Sequence, residues 1–267
     1  MNALALLRGI WNYRHFVFSS IANENRARFA RSKLGWLWMI LNPLGQALVL
    51  ALVLSKVLNA KFPGINNEYA YAMYLLSGSL GWALFSEITT RCLTLFQDNA
   101  NALKKINFPR VTLPIIVVGS ALLNHLLLAF CTLGIFIMLG QAPPLALLWL
   151  PVVMLINIAF ALGLGLLLGI INVFLRDISQ AFPMLLQFWF WMTPIVYQST
   201  MLPESFTQFM RYNPMFYIVK SYQDILTYQT PPAYSDDLVW MAVGSLGLLG
   251  VAFIIFRRAS SDIVDEL

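Results

Sequence analysis

The sequence has 267 residues, 59% of them hydrophobic and only 11% charged. Soluble domains carry about 25% charged residues, so this composition excludes an ordinary soluble protein and implies a polytopic membrane protein with no room for a separate large soluble domain. The formal net charge of +5 would suggest nucleic acid in a soluble chain; here membrane topology accounts for the basic residues, and no nucleic-acid partner is expected.

Residues 1–33 hold six basic residues, Arg8, Arg14, Arg26, Arg28, Arg31 and Lys33, and one acid, Glu24. Leu4, Leu7, Trp11, Phe18 and Ile21 recur at helical spacing. This pattern predicts an amphipathic helix in the cytoplasmic interface, its apolar face in lipid and its basic face toward phosphates. Such a helix is either a docking surface for a partner subunit or a plain topology anchor. Residues 34–267 form the transmembrane domain.

The first predicted span, 36–58, is long enough to cross a ~30 Å core at about 1.5 Å per residue. Trp36 and Trp38 stand at its inner end, where indoles mark the headgroup level. The second span, 71–95, carries Glu87 and Arg91, four apart and acid first, the favourable order for a helical pair. Residues 97–110 follow as a charged loop, D-N-A-N-A-L-K-K-I-N-F-P-R from Asp98. A short amphipathic helix over Asn99–Asn107, stopped by Pro109, would be a natural handle for a soluble motor. An ordinary positively charged inner loop is the plainer alternative.

The third span, 111–139, is long and must tilt or kink. Asn124 and His125 make a polar pair at its middle, better read as interhelical hydrogen bonding than as a proton relay. The fourth span, 147–174, contains Gly163, Gly165 and Gly169, and the G-x-x-x-G at Gly165 and Gly169 predicts close helix packing. Arg176-Asp177 closes it. The fifth span, 180–199, is expected to start its helix at Pro183, where a missing N–H costs nothing, and to break at Pro194. Between them stand Phe188, Trp189, Phe190 and Trp191. Successive helical residues point about 100° apart, so these rings face several ways and about half should line a path. Pro203–Tyr212 and Pro214–Tyr228 are each expected to be short amphipathic helices on the outer face, packed over the mouth of a cavity. Met215, Ile218, Tyr222 and Ile225 would share one face. The last span, 238–256, is expected to stop at Arg257-Arg258. Cys92 and Cys131 lie far apart in apolar stretches, which supports neither a disulfide framework nor a metal site.

Placing both termini in the cytoplasm puts thirteen of the 17 Lys and Arg residues inside and leaves Lys56, Lys61, Arg211 and Lys220 outside. That asymmetry predicts six spans with both ends cytoplasmic. Six spans make a thin pathway, so a symmetric homodimer is expected.

Five segments carry a resemblance. They are R-A-R-F-A-R-S-K-L-G-W-L-W-M-I-L-N-P (Arg26–Pro43), N-A-L-K-K-I-N-F-P-R-V-T-L-P (Asn101–Pro114), F-L-R-D-I-S-Q (Phe174–Gln180), T-P-I-V-Y (Thr193–Tyr197) and R-Y-N-P (Arg211–Pro214). In this order and spacing the chain resembles the membrane subunits of ABC-2-type polysaccharide exporters, which export O-antigen, capsule or teichoic-acid chains. Thr193 departs from the Ser common there. The resemblance implies a homodimeric permease in the inner membrane, working with two separate P-loop ATPase subunits that bind ATP and Mg. The substrate implied is a polyprenyl-diphosphate-linked glycan. In agreement, the sequence holds no G-x-x-x-x-G-K-[ST] phosphate cradle, so this chain is expected to be no enzyme and to bind no cofactor itself. The resemblance also implies an interface helix at residues 1–33, a coupling helix at Asn99–Arg110 and outer gate helices at Pro203–Tyr228.

Aromatic walls hold a polymer without fixing its register. The candidate channel and gate residues are therefore Trp36, Trp38, Phe188, Trp189, Trp191 and Tyr197. Coupling to the ATPase would run through Asn101, Leu103, Lys104, Lys105, Phe108 and Arg110, and through Arg176 and Asp177. Arg28, Arg31 and Lys33 would attract the lipid diphosphate or anionic lipid. Export of drugs or small lipids is the neighbouring alternative. An ion-coupled carrier would need ionisable groups at mid-membrane, where only His125 qualifies. A membrane-bound transferase would need clustered carboxylates at the membrane face, and on the outer side Asp236-Asp237 is the only pair.

Overall fold

The structure is a computed structural model and describes residues 13–29, 37, 38, 41, 45, 69–105, 109–198 and 203–266. The described residues are helical, with no strand among them. In chain order the helices are α1 (Arg14–Phe29), α2 (Ala70–Asp98), α3 (Ala100–Lys105), α4 (Thr112–Met138), α5 (Leu150–Phe174), α6 (Ile178–Met192), α7 (Glu204–Met210), α8 (Pro214–Gln223) and α9 (Ser235–Glu266). A 3-10 turn, Leu145–Trp149, leads into α5, and a π-helical turn, Asp224–Tyr228, extends α8. The predicted first span lies almost wholly outside the described residues.

Among the described residues, three helical stretches are long and apolar enough to cross a membrane: Thr112–Met138, Leu145–Phe174 and Ser235–Ser260. Helix α2 is as long but more polar, and it sits at the centre of the bundle. Its residues Phe85, Ile88 and Cys92 are fully buried. It packs against α4, α5, α6 and α8.

Small residues make that crowding possible. A Cβ on Gly165 would stand 2.7 Å from the Cys92 Cβ, and one on Gly169 would collide with the Cys92 carbonyl oxygen. On another face of α5, a Cβ on Gly163 would meet the Leu249 nitrogen of α9 at 2.9 Å. Helix α5 is thus wedged between α2 and α9, and the predicted close packing is what the glycines provide. Gly78 and Gly81 of α2 do the same for α8, where a Cβ would meet Gln223 Nε2 at 2.7 Å and the Tyr222 ring at 2.8 Å.

The ends of several elements differ from expectation. Helix α6 begins at Ile178, five residues before Pro183, because the Leu175–Asp177 corner already supplies its first turn: the amides of Ser179 and Gln180 donate to the carbonyls of Arg176 and Asp177. The helix then absorbs Pro183 in its interior and ends at Met192, so it is shorter than the stretch 180–199. Helix α9 does not stop at Arg257-Arg258 but runs to Glu266. Charge ends a membrane span; it does not end a helix, since Arg is a good helix former. Helix α8 is no cover laid on a surface. Met215, Ile218, Tyr222 and Ile225 do share one face, and all four are completely buried in the core. In α1 the face turned inward is Val17 and Ile21, packed on α4, while Phe18 is exposed.

Candidate functional site

Two regions carry the chemistry singled out in the sequence: an aromatic break after α6, and a charged corner where α2, α3, α5 and α6 meet.

The four consecutive rings of α6 divide in two. Phe188 and Trp191 are more than half exposed, whereas Trp189 and Phe190 pack on the core. Trp189 sits 5.2 Å from the Phe85 ring and 6.4 Å from Phe160, both edge-on, and Phe190 lies 5.6 Å from Trp82. Phe85 and Phe160 stack at 5.5 Å. Trp189 therefore anchors α6 to α2 and α5. Its indole N–H donates to Asn213 Oδ1 at 2.8 Å.

Beyond Met192 the chain is irregular, and irregular backbone inside a membrane protein must find its hydrogen bonds in protein or water. Here side chains supply them. Tyr74 donates to the carbonyls of Pro194 and Tyr197, at 3.0 and 3.1 Å. Tyr71 donates to the Val196 carbonyl at 2.8 Å, and Gln223 Nε2 to the Pro194 carbonyl at 3.0 Å. Thr193 Oγ1 donates to the Trp189 carbonyl and accepts from Asn213 Nδ2. The T-P-I-V-Y segment is thereby stapled to α2 and α8, and Thr193 can do this as well as a serine. The result is a pocket of ≈ 550 Å³ between the end of α6 and α7, walled by Trp191, Tyr197, Phe206 and Phe209. Phe206 and Phe209, both exposed, were not singled out in the sequence, although their F-T-Q-F spacing places them on one helical face.

At the charged corner, α3 forms as expected, with Leu103 buried and Asn101 and Lys104 exposed. Lys105 is its last residue, Arg110 is half-buried, and Arg176 and Asp177 are exposed. Asn172, fully buried, fixes this corner: its Nδ2 donates to the Leu93 carbonyl at 3.0 Å and its Oδ1 accepts from the Ser179 amide at 3.1 Å. Gln97 Nε2 donates to the Asn172 carbonyl at 3.0 Å. A lone Asn in an apolar run gives no sequence signal of that role.

Above the corner lies an ion network. Arg91 Nη2 donates to Glu24 of α1, and Arg91 Nη1 stands 3.6 Å from Glu87. Ser120 donates to Glu24 at 2.8 Å, and Asn124 Nδ2 to Glu87 at 2.8 Å. The Glu87–Arg91 pair is present, but its partners on α1 and α4 turn it into a three-helix clamp. His125 Nε2 lies 3.1 Å from the Tyr222 hydroxyl of α8. Asn124 and His125 thus make interhelical hydrogen bonds, as the sequence predicts. Arg28 lies in α1, and Trp38 is exposed. Trp36, Arg31, Lys33 and Phe108 fall outside the described residues.

Residues 16–227 match the ABC-2 type transporter family, a stretch that takes in both regions. The chain belongs to that family. This ABC-2 type chain is 32% identical over 266 residues, 99% of its own length and 100% of the relative's, to an O-antigen export system permease protein of Myxococcus xanthus. It is 29% identical over 211 residues, 77% of the chain and 78% of the relative, to a protein of the same description from Klebsiella pneumoniae. It is also similar to a polysialic acid transport protein of Escherichia coli, at 22% identity over 244 residues, 88% of the chain and 89% of that protein. In this ABC-2 type chain the matched stretch runs from α1 to the π-helical turn and leaves out the whole of α9.

Proposed function

We propose that this chain is the permease subunit of an ATP-driven exporter that moves a lipid-linked, O-antigen-like polysaccharide across the inner membrane. The observation that carries the reading is the similarity, over nearly the whole of both chains, to an O-antigen export permease. Two copies, six spans each with both termini cytoplasmic, form the pathway. Two P-loop ATPase subunits bind the ATP and Mg.

The path is aromatic. Phe188, Trp191 and Tyr197, joined by Phe206 and Phe209, offer ring faces to the apolar C–H faces of sugars. Trp36 and Trp38 serve at the inner end. Such contacts are individually weak and repeated, which lets a polymer slide. Trp189 supports the wall by fixing α6. Arg28, Arg31 and Lys33 attract the polyprenyl diphosphate at the inner leaflet. Asn101, Leu103, Lys104, Lys105, Phe108 and Arg110 receive the ATPase's movement together with Arg176 and Asp177. ATP binding drives export only by favouring one arrangement of the dimer over another.

The test replaces Lys104 and Lys105 by Glu in the reconstituted complex. The reading predicts continued ATP hydrolysis with export lost. Wild-type export would refute the coupling role.

A further inference from the structure

Helix α9 has 32 residues, about 48 Å at 1.5 Å per residue, against a hydrocarbon core of ~30 Å. Its apolar part, Ser235–Ser260, is already sufficient to cross. The last two turns, beyond Arg257-Arg258, serve no span. A short helical tail in water does not hold its shape by propensity alone, so something must dock it.

Ile263 is what docks. It is 1% exposed and belongs to the same hydrophobic core as Leu103 of α3, Val173 of α5 and Phe96 of α2. About two turns earlier, Phe256 stacks on Phe96 with ring centroids 5.6 Å apart. Helix α9 also packs against α3. At its tip, Glu266 lines a recess of ≈ 270 Å³ together with Gln97, Ala100, Val173 and Arg176. This tail therefore reaches the end of α2, the start of α3, the end of α5 and the Arg176 corner.

We infer that the C-terminal two turns of α9 are a third element of the coupling face, with Ile263 as the positioning residue that holds α3 and the Arg176–Asp177 corner as one unit. The inference rests on the coupling reading above and extends it. A push delivered to α3 by the ATPase moves span α9 directly, instead of being absorbed by a loose six-residue helix. At its other end α9 begins beside Tyr234, whose ring lies 5.7 Å from Phe216 of α8, so the helix joins the corner to the far side of the bundle.

The experiment uses the full permease with its ATPase in proteoliposomes, and measures lipid-linked glycan moved and phosphate released in the same sample. Ile263→Ala should leave hydrolysis near wild type and lower glycan moved per ATP by roughly five-fold or more, the lower end of ordinary coupling energies. Ile263→Leu should restore the ratio. Glu266→Lys, at an exposed residue that the fold does not need, should lower the ratio as well. An unchanged ratio in Ile263→Ala and Glu266→Lys overturns the inference. A parallel fall of hydrolysis and export at constant ratio overturns it too, because that is the signature of lost stability alone. Lys104→Glu/Lys105→Glu is run alongside. If that variant also keeps the wild-type ratio, the coupling reading itself fails; if it uncouples while the α9 variants do not, only the role of α9 fails.

Discussion

Glu24 of α1 and Arg91 of α2 form an ion pair that ties the N-terminal helix to the central helix of the bundle. Arg91 also faces Glu87, and Ser120 and Asn124 of α4 complete the clamp. A charged network inside a membrane protein is costly to leave incomplete. It also means that any movement of α1 is felt by α2 and α4.

Replacing Arg91 by Met leaves two carboxylates without their guanidinium. The side chains are 18% and 30% exposed for Arg91 and Glu24, so solvent softens the loss. The expected cost is roughly 1–3 kcal/mol, read as a lowered unfolding midpoint in detergent. Glu24→Gln combined with Arg91→Met should be less damaging than the two single effects added, since both remove one interaction. Strict additivity would show that the pair is not coupled.

Gly169→Ala places a methyl against the Cys92 carbonyl, and Gly165→Ala places one against its Cβ. Each should destabilise by roughly 1–3 kcal/mol through overpacking. Gly250→Ala is the control: nothing stands within 4 Å of its Cβ position. Equal melting shifts for all three would contradict the wedge of α5 between α2 and α9.

Asn172→Ala removes the bonds to the Leu93 carbonyl and the Ser179 amide, leaving the amide only its bond to the Arg176 carbonyl. A loss of about 1–3 kcal/mol follows, with a looser Arg176 corner. Asn172→Asp keeps an acceptor for Ser179 but sets a carboxyl group against the Leu93 carbonyl at a fully buried position, and should destabilise at least as much as Ala. Proteolysis at Leu175–Asp177 checks the loosening, which should exceed wild type in both variants.

The rings of α6 should separate by role. Trp189→Ala removes an anchor shared with Phe85 and Phe160 and should cost roughly 3 kcal/mol of stability. Trp191→Ala and Phe206→Ala, at exposed positions, should leave stability within about 0.5 kcal/mol of wild type while reducing glycan export. If Trp191→Ala proves as destabilising as Trp189→Ala, the division of the four rings is wrong.

Much of the bundle was legible in the sequence, because long apolar runs have few alternatives. Thr112–Met138 and Leu150–Phe174 fall within a few residues of the predicted spans, and the small helix before Pro109 is present. Gly165 and Gly169 declared close packing without saying against what. The rest depended on partners that periodicity along one helix does not reveal. Glu24 reads as a lone acid among basic residues until Arg91, 67 residues away, is seen beside it. Trp82, Phe85 and Phe160 are ordinary apolar residues in their own helices, yet they decide which rings of α6 turn inward. The start of α6 at Ile178 follows from the Leu175–Asp177 corner, which outweighed the proline preference for a first turn. Arg257-Arg258 is read in the sequence as the end of the last span followed by a short polar tail, and that tail continues the helix to Glu266.

The central claim is that this chain passes a lipid-linked glycan through a ring-lined path only when a separate ATPase drives it. The most direct measurement is translocation of a polyprenyl-diphosphate-linked glycan in proteoliposomes, with and without a co-purified P-loop ATPase and with Trp191 intact or replaced by Ala. The account predicts ATP-dependent movement in the complete system, none without the ATPase, and a marked fall in the Trp191→Ala complex. Movement by the chain alone under an ion gradient, indifferent to ATP and to Trp191, would contradict it.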